Sequence, residues 1–504
     1  PRSSGARRPH AIMGGISARG EPRGKPAERP GFVLAWPPRM ETGDKAIFDG
    51  QYYSDKVFGV SVLAIPAYAA MQIVGGVVGH EWSLDAKIYF LRLFAVSLPA
   101  AASVALLWLL LIRIGAQPRR AVLAVAFAFF GSLWFGYSLV FMPYSLGIAA
   151  ALGAFYLLMF PPARRMTWKN CFAIGGLCGV AMISDFIFGL IVMAIGVVYL
   201  MRLADQTGLY GMRCFANMAG ARTRFRDAGG LVLVGAIGGL IPLALFFAYC
   251  YSIFGEFSIP YKYEANPMFR EEMAKGFMGV TAPRPEVAWF LTLHPYRGIL
   301  FWSPWLLAAL TGCVLMIRTT GKRRLFGWLG LWAFVAYLIF NSGYYMWWGG
   351  YAMGPRLMLP MFAFVPFGLA EFCRRDIKKQ WYYAMVFAGI VAVLINIPMS
   401  FFRPELPQGN PHQILQDIAF GTNVSVPQFT VLRVFYRFGW ILNPEMRAPL
   451  TQIFSFFMLI ASAGFFGWRA WRACEEKHLP FERPEVPAVN FDGAAAPAPT
   501  PLKR

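Results

Sequence analysis

Charge is scarce in this chain. Only 14% of its 504 residues are Asp, Glu, Lys or Arg, whereas a soluble globular domain carries roughly a quarter. Cysteine is sparse as well, with seven residues and no CxxC pair, which excludes a disulfide scaffold and gives no support for a zinc site. The sequence has no P-loop, no GxGxxG and no acidic metal cluster, so nucleotide-driven chemistry has no residues to rest on. What is abundant is apolar: 57% of the residues are hydrophobic and 16% aromatic, including 46 Phe and 16 Trp. That composition describes an integral membrane protein, all-α, with interfacial aromatic anchors.

The net charge of +21 invites a nucleic-acid partner, but its distribution excludes one. Apolar segments long enough to read as spans lie near 88–112, 121–140, 144–160, 171–184, 186–200, 229–251, 299–317, 325–343, 357–370, 381–400 and 450–467, about eleven in all. The loops at 113–120, 161–170, 201–228, 318–324 and 371–380, with the tail from 468, hold 25 Lys/Arg against 9 Asp/Glu. The alternate loops hold 11 against 11. The positive-inside rule therefore puts the first set and the C-terminus in the cytoplasm, and loops 252–298 and 401–449 outside a plasma or inner membrane.

Two regions flank this membrane domain of residues 40–470. Residues 1–39, with eight Lys/Arg and no apolar run, read as a disordered basic tail or a wrongly started reading frame. Residues 471–504, Ala/Pro-rich at their end, read as a disordered cytoplasmic tail. Segment 57–79 admits two readings. It is long enough to span, and Pro66 with four glycines equally admits a broken helix lying in the external interface.

Chemistry is expected on the external face. Glu41–Lys56 gathers four carboxylates, two Tyr and two Lys beside an apolar segment, with Asp44 and Asp49 as candidate bases and Lys56 as a point charge for phosphate. Tyr53 and Asp55 adjoin it. A second stretch, His294-Pro295-Tyr296-Arg297, enters an apolar helix. A third runs Tyr344 to Arg356 through Trp347, Trp348 and Tyr351. Arg297 and Arg356 stand at an external membrane boundary against the charge bias, where a phosphate is a natural partner for a guanidinium fork, or where each snorkels beneath an aromatic belt. Asp185, between two short apolar segments, reads as a buried functional carboxylate or as a surface turn residue.

Several of these stretches resemble bacterial GT-C membrane glycosyltransferases, related to the protein O-mannosyltransferases and the lipid A aminoarabinose transferase. The resemblance lies in Asp49-Gly-Gln-Tyr-Tyr-Ser-Asp-Lys56 with Ile65-Pro-Ala-Tyr68, Tyr249-Cys-Tyr-Ser-Ile-Phe-Gly255, Arg297-Gly-Ile-Leu-Phe-Trp-Ser-Pro-Trp305 and Gly349-Gly-Tyr-Ala-Met-Gly-Pro-Arg356. It implies an external active site, a polyprenyl-phosphate sugar donor and inverting transfer to an acceptor hydroxyl of an envelope glycan, lipid or protein. It also implies an interfacial helix at 57–79 and donor contacts from Tyr53, Asp55, Lys56, His294, Arg297, Tyr351 and Arg356. No metal ligand set is implied. The family's usual catalytic Asp follows a first membrane helix that these residues do not supply, which leaves Asp44 and Asp49 as stand-ins. A flippase or transporter of polyprenyl-linked sugars, and a non-catalytic scaffold of an envelope-polymer complex, are the alternative readings.

Overall fold

The computed structural model describes residues 45–402, except 164, 210–217, 295 and 351, together with residues 461, 464, 465, 468, 469 and 472. Both tails, most of loop 401–449 and nearly all of the span expected at 450–467 lie outside the described residues.

The described chain is mostly helical. It opens with a two-stranded antiparallel hairpin, β1 (Ala46–Phe48) and β2 (Gln51–Tyr53). Helices α1 (Gly59–Val78), α2 (Leu84–Arg92), α3 (Leu98–Arg113), α4 (Pro118–Phe130), α5 (Leu133–Ser138), α6 (Tyr144–Met159), α7 (Trp168–Ser184), α8 (Gly189–Gln206) and α9 (Met218–Phe254) follow. Short helices α10 (Pro267–Met273), α11 (Pro285–Thr292) and α12 (Ile299–Trp302) cross the large loop. The chain then runs through α13 (Trp305–Ile317), α14 (Gly321–Gly343), α15 (Leu369–Phe372) and α16 (Lys379–Phe402).

Among the described residues, six helical stretches are long and apolar enough to cross a bilayer: Gly59–Val78, Leu84–Arg113, Phe186–Gln206, Thr223–Phe254, Gly321–Gly343 and Lys379–Ile397. Two apolar helices, Tyr144–Met159 and Trp305–Ile317, are shorter. The protein is thus built as a multi-pass membrane protein. Helix α1 continues through Pro66 as one 20-residue helix, closed by Gly79 at φ 68° with its N–H on the Gly75 carbonyl. The break expected at that proline does not occur.

The segment 357–370, expected as a span, takes another form. It folds as 3-10 turns over Arg356–Ala363 and Val365–Gly368 before α15. Pro360 and Pro366 each remove a backbone donor and clash with the preceding turn, so a regular α-helix cannot run through. Such irregular backbone is tolerated at membrane depth only when protein surrounds it, and here residues 358–370 are buried throughout. Phe155 of α6 packs within 5.1 Å of Phe326 and Phe364 and 5.6 Å of Phe367, and Trp305 Nε1 donates to the Gly131 carbonyl at 2.9 Å.

Helices α7 and α9 meet backbone to backbone. A Cβ on Gly175 would stand 1.8 Å from the Gly235 carbonyl oxygen, and one on Gly179 2.4 Å from that of Gly239. Lipid chains are as apolar as leucine, so helix association in a bilayer relies on such close approach. We expect Gly175→Ala to force the helices apart and destabilise the protein by about 1–3 kcal/mol, the usual range for overpacking. Gly176→Ala, whose Cβ meets nothing closer than 3.8 Å, should be neutral or stabilising. Thermal unfolding in detergent distinguishes the two, and equal midpoints would remove the glycine contact as a determinant.

Candidate functional site

The hairpin is set by its turn. Asp49 (φ 50°) and Gly50 (φ 71°) both occupy the left-handed region, the geometry that Asp-Gly supplies in a two-residue hairpin. Asp49 is therefore an exposed turn residue, while Asp44 lies outside the described residues. The hairpin docks on the large loop: Ala46 bridges Glu264, and the Ala265 N–H donates to the Lys45 carbonyl at 2.8 Å. Beneath it, Phe48 and Tyr53 meet Phe254 edge-on, and Phe254 stacks on Tyr263 with centroids 4.4 Å apart. Tyr53 thereby joins an aromatic core.

Immediately after β2 the chain turns inward. Asp55 is buried and its Oδ2 lies 2.5 Å from the half-exposed Lys56 Nζ, which also stands 5.5 Å over the Tyr261 ring. Glu264, likewise buried, faces this pair. Its own burial and then the Asp55 charge push the Glu264 carboxyl up to about 7, with Lys56 pulling the other way.

Lys56 reaches a second centre because α1 begins against the end of α7. A Cβ on Gly59 would lie 2.4 Å from the Ile183 oxygen, so only glycine permits this approach. The next residues, Ser184 and Asp185, end α7. Asp185 is extended (φ −158°, ψ 135°) and its Oδ1 accepts from the Ile187 N–H at 3.2 Å, capping the turn Phe186–Phe188. Tyr337 of α14 donates to the Ile187 carbonyl at 2.6 Å and fixes that turn from the far side. Burial raises the Asp185 carboxyl above its ordinary range; the Ile187 N–H, Arg356 and Lys56 act against it. The Tyr144 hydroxyl lies in the field of Arg356, Asp185 and Lys56 together. Its ring meets Tyr137 edge-on at 5.3 Å.

Arg356 is placed by the segment before it, and that segment is held by Arg297. The Arg297 guanidinium is fully buried: Nη1 donates to the carbonyls of Ala352 (2.6 Å) and Gly354 (2.7 Å), and Nη2 to that of Gly350 (3.0 Å). Tyr137 donates to the Met353 carbonyl at 3.1 Å. Gly349, Gly350 and Gly354 all have positive φ, and a Cβ on Gly349 would lie 2.9 Å from Arg356 Cγ. The glycines let the loop fold back around Arg356. His294 is buried beside this clamp, its Nδ1 accepting from the Tyr296 N–H at 3.2 Å. Tyr351 lies outside the described residues.

The structure thus gathers Lys56, Asp185 and Arg356 from three distant segments, with Asp55 and Glu264 alongside. Arg297 sits beneath as a loop anchor whose two Nη atoms are engaged by backbone. Glu264 is the member that local sequence does not single out, a lone carboxylate in a loop, whereas Asp185 carries two readings in sequence. Their pairing with Lys56 is tertiary. Among the described residues, no group of three or more His, Cys, Asp or Glu side chains is arranged to hold a metal ion.

Two outcomes follow from these contacts. Glu264 in the folded protein keeps a proton that the unfolded chain releases near the ordinary 4.5, so its stabilisation is full below that value and is lost as pH rises through about 7. Thermal unfolding from pH 5 to 8 should show that decline in the parent and a flatter profile in Glu264→Gln; identical profiles would contradict it. Arg297→Ala strands the buried carbonyls of Ala352 and Gly354 and the half-buried one of Gly350, so the folded yield and melting temperature should fall sharply, with Arg297→Lys recovering only part of them. No protein-family model, no curated protein and no solved structure matches the chain.

Proposed function

We propose that the chain is a membrane glycosyltransferase of the GT-C type, moving a sugar from a polyprenyl-phosphate donor to an acceptor hydroxyl at the external face of the cell membrane. In this reading about eleven spans thread the bilayer, with the basic loops and the C-terminus cytoplasmic. The observation that carries it is that two cations from distant segments, Lys56 and Arg356, both act on the half-buried carboxylate Asp185. A phosphate leaving group and an acceptor hydroxyl need those charges. The four-motif resemblance quoted above names the chemistry.

The reaction assigns each group a task. The acceptor oxygen attacks the anomeric carbon, the bond from that carbon to the donor phosphate oxygen breaks, and the phosphate departs with the electron pair. Lys56 and Arg356 face the charge that grows on it, and such preorganised charges are worth most in a water-poor site. The acceptor proton passes to Asp185, whose burial makes it a stronger base than a surface carboxylate, with the two cations acting against that rise. This assigns proton removal to Asp185 in place of Asp44 or Asp49. Arg297 holds the loop that aims Arg356, and His294 belongs to the set expected to contact the donor. Asp55 orients Lys56 through their ion pair. Tyr53 and Tyr351 complete the set expected to contact the donor.

The test uses purified protein with a labelled polyprenyl-phosphate sugar. Asp185→Asn should lower transfer by about 10²–10⁴-fold, the usual range for a lost general base. Arg356→Lys keeps the charge but loses the fork, so turnover should fall while expression stays normal. Asp49→Asn should be close to parent. Transfer that survives Asp185→Asn and is abolished by Asp44→Asn or Asp49→Asn would move the base to the hairpin segment. No transfer to any hydroxyl acceptor, with donor exchange across vesicles instead, would favour the flippase reading.

A further inference from the structure

The reaction as assigned leaves Tyr144 unused, yet three packing contacts hold it between the charged groups. Tyr144 is the first residue of α6, and the turn it opens presses on each wall of the site. Leu146 packs with Val60 and Ala64 of α1, the helix that begins at Gly59, just after Lys56. Gly147 lies against Phe188 in the turn that Asp185 caps. A Cβ on Gly147 would stand 2.1 Å from Cε2 of the Phe188 ring, so a larger residue would push α6 off that turn. The third contact is Tyr137. Its ring meets that of Tyr144 edge-on with centroids 5.3 Å apart, and its hydroxyl donates to the carbonyl of Met353, in the loop that leads to Arg356.

Lys56, Asp185 and Arg356 come from three separate segments, and the first turn of α6 meets the neighbours of all three. The electrostatics agree with the packing, since the Tyr144 hydroxyl lies in the field of each of these charges. Its side chain is only 3% exposed, and close packing of the ring leaves the hydroxyl little freedom to swing away.

A neutral hydroxyl beside two cations and a carboxylate can serve in two ways. It can donate to the carboxylate, or to an anion that the cations attract. The second suits the reaction better. A hydrogen bond to Asp185 would stabilise its ionised form and weaken it as the base that takes the acceptor proton. The donor phosphate instead gains charge as the sugar leaves, and a fixed donor is most effective where charge grows.

We propose that the Tyr144 hydroxyl is a third contact of the donor phosphate, donating to the oxygen that departs from the anomeric carbon. As that carbon–oxygen bond breaks, the electron pair stays on the phosphate oxygen and the hydrogen bond from Tyr144 strengthens. Tyr144 keeps its own proton, and the acceptor proton goes to Asp185. The part played in the step rests on the transferase reading; the phosphate contact itself does not, because polyprenyl monophosphate is the product and can be bound alone.

The experiment compares the purified full chain with Tyr144→Phe, which removes the oxygen and keeps the buried ring. It measures transfer from a labelled polyprenyl-phosphate sugar, and affinity for sugar-free polyprenyl monophosphate with unphosphorylated polyprenol as control. Tyr144→Phe should lower kcat by about 10²-fold, the lower end for one lost oxyanion donor. It should weaken polyprenyl monophosphate by about tenfold, as for a lost hydrogen bond to a charged group, and leave polyprenol binding and the melting temperature at the parent's. Equal affinity for the monophosphate in parent and variant overturns the contact, whatever happens to transfer. Loss of polyprenol binding or of melting temperature alongside makes the hydroxyl structural and overturns it too. A parent that holds the monophosphate about tenfold tighter than the variant but transfers no sugar upholds the contact and removes the transferase reading. A parent that does not prefer the monophosphate to polyprenol removes both.

Discussion

The buried Arg297 guanidinium is the contact on which the external end of the protein depends. A charge cannot sit in a protein interior without partners, and three backbone carbonyls of residues 350–354 have no helix or sheet to satisfy them. Each supplies what the other lacks. The result is a loop of left-handed glycines with a fixed path, and Arg356 emerges from it in one direction rather than many. Removing either half would leave the other buried and unsatisfied, which is why so irregular a loop can be rigid.

The cluster around Asp185 is built by the absence of side chains as much as by their presence. Gly59 lets the start of α1 touch the end of α7, Gly147 leaves room for the Phe188 ring, and Gly349 leaves room for Arg356. Each close approach shortens the distance over which charges act, and the low polarity around them strengthens what remains. The hairpin adds a second wall. Its Asp-Gly turn sets the register that delivers Asp55 and Lys56 to opposite environments, one buried and one half-open.

Helical architecture was legible in the sequence because length and apolarity decide it locally. The segment 357–370 misled because its hydropathy is that of a span, while Pro360 and Pro366 made it a core of 3-10 turns. Arg297 and Arg356 look alike as letters, each an arginine beside aromatics and glycines. Only tertiary structure separates the one whose Nη atoms are engaged by carbonyls from the one that faces a carboxylate. Asp185 reads as a functional carboxylate or as a turn residue, and it does cap a turn. Its second relation, to Lys56 and Arg356, depends on how α1, α7 and the 349–356 loop pack. Glu264 was hidden for the same reason, since nothing near it in sequence announces Asp55.

Helix α9 has a mechanical consequence of its own. Its 37 residues correspond to about 55 Å of rod, well beyond the 30 Å or so of hydrocarbon in a bilayer. Its last turns carry Phe246, Tyr249 and Phe254, which hold Phe58 and the hairpin from below. Its early turns carry Arg224, Arg226 and Asp227 in an exposed, charged stretch. The Gly235–Gly239 contact with α7 lies between them, with the Pro242 ring against Gly179 and Tyr199 against Gly235. One helix therefore joins the exposed charged stretch to the aromatic floor beneath the hairpin.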